Sequence, residues 1–193
     1  MQDFWLYFQL GFEHIADFAG YDHIIFVIAL CLRYTFDDWK KILVLITAFT
    51  IGHSITLALS TLQYINVSAE WIEFLIPVTI VFTALSNISQ KDFKFKTKFP
   101  LIYFLALFFG LIHGLGFSNY LKSLLGRNNN IVAELFAFNA GLEIGQLIIV
   151  ACILIVSLIC IRLLNFQRRE YLLYGSGAVF GIALIMALER IPF

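Results

Sequence analysis

The chain has 193 residues, of which 61% are hydrophobic and only 13% charged, with 13 basic and 13 acidic residues that cancel. So little charge cannot clothe a soluble domain of this length, and a mean hydropathy of +0.87 points to a bilayer as solvent. No basic face is available for nucleic acid, and Cys31, Cys152 and Cys160, all in apolar runs without CxxC spacing, argue against a disulfide framework or a cysteine zinc site.

The opening Met1-Gln2-Asp3-Phe4-Trp5 lacks the basic region and small-residue cleavage site of a secretory signal. Phe4–Phe8 is too short to span, and is expected to lie at the interface or to extend the first helix outward. Six apolar runs follow: Phe12–Leu32, Lys41–Leu62, Trp71–Ile88, Phe99–Leu121, Ile131–Leu163 and Tyr171–Leu188. Each is near or above the ~20 residues that a helix needs to cross ~30 Å of hydrocarbon. The fifth is too long for one straight crossing, which predicts an interfacial or tilted start. The runs are continuous and do not alternate as the strands of a membrane barrel do. The expected fold is therefore all-α: a polytopic membrane bundle of about six transmembrane helices plus an N-terminal interfacial segment, forming a single integral membrane domain over residues 1–193. No shared spacing relates the first three spans to the last three.

Lysine and arginine are unevenly distributed between the connections. Arg33, Lys40 and Lys41 follow span one; Lys91, Lys94, Lys96 and Lys98 follow span three; Arg162, Arg168 and Arg169 follow span five. These are ten of the 13 basic residues, and only Lys122, Arg127 and Arg190 fall on the other side. The positive-inside rule then predicts a bacterial inner membrane protein with these three connections in the cytoplasm and both termini in the periplasm.

The four histidines avoid every basic connection. His14, His23, His53 and His113 lie within the apolar spans or at an outer edge, where an ionisable group needs a partner or a function. Their depths agree. Asp22 and His23 fall near the middle of span one; His53 is twelve residues beyond Lys41, His113 fourteen beyond Phe99, and Glu143 twelve beyond Ile131. At ~1.5 Å per residue these converge on one slab in the outer half of the bilayer. Helical spacing adds supporting groups: Asn139, Glu143 and Gln146 share one face of span five, and Thr47, Thr50 and Ser54 share a face of span two beside His53. Gly110, Gly114 and Gly116 around His113 would admit a close helix or ligand. Imidazole with carboxylate and no cysteine suits a divalent transition metal such as Zn or Ni, or Fe or Mn. A proton relay or a structural polar zipper would use the same residue types.

The residues that carry this pattern also carry a resemblance. Gly11-Phe12-Glu13-His14-Ile15 with Gly20-Tyr21-Asp22-His23-Ile24-Ile25-Phe26, Thr47 through Leu57 around Gly52-His53-Ser54, Phe109 through Phe117 around His113, and Phe138 through Gln146 around Glu143 are similar to the motifs of the HupE/UreJ family. The resemblance covers about Gly11 to Gln146. It implies a small multi-span protein connected with metalloenzyme maturation, some of whose relatives are regarded as nickel permeases. By that analogy Asp22, His23, His53, His113 and Glu143 handle the metal, and maturation proteins are its partners. Nickel-permease-type relatives carry a His-Pro-x-x-Gly-x-Asp-His pattern, whereas here His14 precedes Asp22 by eight residues and Ile15 stands in place of proline.

The sequence thus suggests a divalent-metal permease or metal-delivery accessory protein with ligands among His14, Asp22, His23, His53, His113 and Glu143, supported by Asn139, Gln146 and Ser54. A metal-dependent intramembrane hydrolase, with Glu143 or Asp22 as general base, uses the same cluster. In a third reading the polar groups only lock the bundle.

Overall fold

An unpaired peptide group in hydrocarbon costs several kcal/mol, so long apolar runs satisfy their backbone internally as helices. A computed structural model describes residues 2–18, 20–90, 101–125 and 131–192, and among these there are helices and no strands. The helices are α1 (Gln2–Ile15), α2 (Asp22–Cys31), α3 (Trp39–Thr61), α4 (Ala69–Ser89), α5 (Leu101–Leu125), α6 (Ile131–Leu158) and α7 (Arg168–Glu189). Among the described residues, five helical stretches are long and apolar enough to cross a membrane: those containing α3, α4, α5, α6 and α7. This is a multi-pass membrane bundle.

The first expected span is the exception. Phe12–Leu32 is not one helix but two, α1 with 14 residues and α2 with 10, separated around Asp17 and Gly20. Both residue types are poor helix formers, and the backbone restarts where the Asp22 carboxylate accepts the His23 amide at 2.8 Å. At ~1.5 Å per residue neither piece alone spans ~30 Å. The aromatic segment Phe4–Phe8 is the body of α1, with Trp5 and Leu6 exposed. The fifth span departs from α-helical geometry at its far end, where Ile159–Leu163 forms a π-helical turn, while its start is regular from Ile131.

Two parallel helix pairs are built on glycine. A Cβ on Gly52 of α3 would collide with the Leu107 carbonyl, and one on Gly110 or Gly114 of α5 with the carbonyls of Phe49 or His53. A Cβ on Gly11 would strike the Phe138 carbonyl, and one on Gly141 the Phe8 carbonyl, so α1 lies backbone to backbone on α6. The contacts advance together along both partners. Hence α3 and α5 run in one direction and α1 and α6 in one direction. Gly116, unlike its neighbours, faces the Ile76 side chain of α4.

One end of the bundle gathers the basic residues. Arg169 donates to the Ile88 carbonyl at 2.7 Å and to that of Gln90, binding the C-terminus of α4. Arg168 reaches the Arg33 carbonyl at 2.8 Å, and Lys41 pairs with Asp38 at 2.6 Å. Lys91, Lys94, Lys96, Lys98 and Arg127 lie outside the described residues, as does the side chain of Lys122.

Candidate metal centre

Each histidine reaches the site from a different helix. His53 is fourteen residues past the start of α3 and His113 twelve past the start of α5. On parallel helices those offsets correspond to ~21 Å and ~18 Å, well away from the basic end. The helix break supplies the other two rings: His14 ends α1 and His23 opens α2. One continuous helix would hold them thirteen Å or so apart along its axis at nine residues' separation; the break folds them together, with ring centroids 4.5 Å apart. Irregular backbone at membrane depth is tolerated where it lines a cavity, and Ala16, Asp17, Phe18 and Gly20 do line one.

One nitrogen from each of His14, His23 and His53 lies within 4.8 Å of the other two. His23 and His53 are buried and His14 is half-buried. The ring nitrogens sort by partner. His23 Nδ1 contacts Asp22 Oδ1 at 2.9 Å; a carboxylate accepts, so this nitrogen carries the proton and the lone pair is on Nε2. The Nε2 atoms of His14, His23 and His53 are all buried without a hydrogen-bond partner, as is Nδ1 of His53. Asn139 lies beside His53, yet its amide donates to the Leu135 carbonyl at 2.8 Å and its Oδ1 is left unpaired. Buried polar atoms are ordinarily satisfied, so a close group of rings with unpartnered nitrogens is a feature that a ligand would satisfy. Three imidazole nitrogens without thiolate are a donor set that fits a divalent transition ion with one position open.

Asp22 stands behind the cluster rather than in it. Its second oxygen accepts from Arg190 Nη1 at 3.1 Å, giving a chain Arg190–Asp22–His23 that fixes the tautomer and direction of the ring. Arg190, the residue just past α7, is the participant that sequence reasoning missed. Its only signal was negative: a basic residue on the side where few occur.

His113 is adjacent, with its ring 5.3 Å from that of His23. Its Nδ1 donates to the Phe109 carbonyl at 2.8 Å, and its buried Nε2 has no partner. Below it lies an aromatic floor of Phe26, Phe49 and Phe109, with Phe26 4.7 Å and Phe49 5.2 Å from the His113 ring, centroid to centroid. On the other side Phe117 packs 4.0 Å from His14, and Phe138 stacks parallel to His53.

Of the remaining candidates, Glu143 and Gln146 are paired across the α3–α6 interface. Thr47 donates to Glu143 at 3.1 Å and Thr50 to Gln146 at 2.8 Å, and Glu143 is not part of the close group of His14, His23 and His53. Ser54 donates to the Thr50 carbonyl of its own helix at 2.7 Å, as a lone helical serine commonly does. Thr79 and Thr83 bond backward within α4, and Asn87 ties α4 to α2 through the Ala29 carbonyl at 2.7 Å.

A cavity of about 1000 Å³ leads from the surface to His14 and His23, lined also by Glu13, Asp17, Glu73 and Arg190. The site therefore opens away from the aromatic floor.

The HupE / UreJ protein family matches residues 1–190, essentially the whole chain. No curated protein and no solved structure matches it. Membrane-spanning helices, a histidine cluster and a family match over nearly every residue agree, and the chain belongs to the HupE/UreJ family of metal-related accessory membrane proteins.

Proposed function

We propose that the protein binds a divalent transition-metal ion between His14, His23 and His53 and passes it on, as a permease or metal-delivery accessory protein of the inner membrane. The observation that supports this reading is the closeness of His14, His23 and His53, one ring nitrogen of each within 4.8 Å of the other two, on rings whose buried Nε2 atoms have no hydrogen-bond partner. The positive-inside rule favours a periplasmic opening for the cavity, with ten of 13 basic residues in connections on the opposite side. In this reading His113 is the next station inward, and the floor of Phe26, Phe49 and Phe109 is the layer that must part for the ion to leave.

One observation favours a second reading. The cavity reaches the cluster from one side, and the closed floor beneath suits a metal-dependent hydrolase. A bound ion would supply Lewis-acid polarisation there. Asp22 is engaged by His23 and Arg190, Glu143 by Thr47 and Glu13 by Gln9, so the general base in this reading is Glu73 of the cavity wall.

Elemental analysis of protein purified without added metal tests what both readings share. About one transition-metal ion per chain is expected, with a melting temperature that falls when a chelator is added. A metal-free protein whose melting ignores chelator and added ions contradicts both. Reconstituted vesicles then divide them, because only the permease accumulates ions.

A further inference from the structure

The cavity above the imidazoles is larger than a bare ion requires. A divalent ion with six waters, at ~30 Å³ each, fills roughly 180 Å³, against about 1000 Å³ here. Its wall is uneven in charge. Glu13 from α1 and Glu73 from α4 are exposed carboxylates on different elements of the lining. Among the described lining residues Arg190 is the one lysine or arginine, and Asp22 already holds it at 3.1 Å. At the inner end stands His23, 5% exposed, with Nε2 unpartnered.

We propose that this cavity is a capture vestibule, in which Glu13 and Glu73 concentrate a hydrated divalent cation before His14, His23 and His53 replace its water. The inference rests on the metal reading above and adds the stage that precedes ligation. Neither carboxylate belongs to a close metal-ligating group, so each acts on the ion through its hydration shell. Gln9 donates to Glu13 at 2.7 Å and holds that side chain at the rim. Aromatic walls and surrounding lipid lower the local dielectric, which focuses the field of the carboxylates along the cavity. Anions and neutral solutes gain nothing from such a field, so charge selection comes first and ligand chemistry second.

The test is the rate of Co²⁺ uptake by the full-length protein in uncharged detergent, followed by the absorption of imidazole-bound cobalt. It is run at about 10 mM and about 500 mM ionic strength. For Glu13→Gln/Glu73→Gln the association rate at low salt is expected to fall by roughly tenfold or more, with the dissociation rate unchanged. The wild-type rate should drop as salt rises and the variant's should not. Glu13→Asp/Glu73→Asp, which keeps the charge, should restore the wild-type rate and so excludes misfolding as the cause. An unaltered association rate and salt slope in the glutamine variant, or a loss confined to dissociation, overturns the vestibule while leaving the imidazole site intact. A wild type that takes up no Co²⁺ at all overturns the metal reading and the vestibule with it.

Discussion

The bundle holds two polar regions, one partly exposed between α3 and α6 and one buried around the histidines, and they differ in how their groups are paired. Between α3 and α6, Thr47 bonds Glu143 and Thr50 bonds Gln146, so hydroxyl and carbonyl or carboxylate answer each other across the interface. Only Gln146 Nε2 and Asn139 Oδ1 along that face are buried without a partner. In the histidine cluster the order is reversed: Asp22 and Arg190 hold one ring from behind, while one ring nitrogen from each of His14, His23 and His53 lies within 4.8 Å of the other two and the Nε2 atoms of these rings have no hydrogen-bond partner. A strip satisfied by its own bundle is interhelical adhesive, worth on the order of 0.6–2 kcal/mol per bond. Under the proposed function, a cluster supported from outside and unsatisfied within is the place for an ion that the chain does not supply.

The largest difference is expected at His53, which is fully buried with Nε2 unpartnered and only Asn139 beside it as a polar neighbour on α6. Under the proposed function, replacing it with alanine removes a ligand and at most the one contact with Asn139. His53→Ala should therefore lower metal affinity by more than the ~10–100-fold that loss of a ligand's hydrogen-bond partner costs. Titration with Zn²⁺ in a competing chelator measures this, and an affinity equal to wild type would remove His53 from the site.

Arg190→Ala comes next. It frees Asp22 and loosens His23 without touching a nitrogen that would face the ion, so about 10–100-fold is expected, with partial recovery in Arg190→Lys. The smallest effect belongs to Thr50→Val. It leaves Gln146 without its donor, lowering bundle stability by about 0.6–2 kcal/mol, and should leave bound metal unchanged. If Thr50→Val instead removes the metal, the two regions are one site.

Much of this was legible in the sequence, because hydropathy and length are what the bilayer selects on. Five of six expected spans recur within a few residues, from Trp39–Thr61 to Arg168–Glu189. The common depth of His53 and His113 followed from residue counting along helices whose parallel direction the topology required. The break in span one was not legible, since Asp17 and Gly20 sit inside an otherwise apolar run and single unfavourable residues are often tolerated. With the break went the closeness of His14 to His23, which no continuous helix permits at nine residues' separation. Glu143 lies on the same helix face as Asn139, and its pairing with Thr47 on another helix is a contact that residue counting does not reveal. Arg190 lies 168 positions from Asp22, a pairing that only tertiary structure reveals.

Whether three imidazoles from α1, α2 and α3 hold one ion is read from X-ray absorption of the Zn²⁺-loaded protein. The account predicts a shell of about three imidazole nitrogens at ~2.0–2.1 Å, with a further light ligand from the cavity side. The nitrogen count should fall by about one in His23→Ala and in His53→Ala, and stay unchanged in Thr50→Val. A shell made only of oxygen, or one whose nitrogen count ignores both histidine substitutions, would contradict the account.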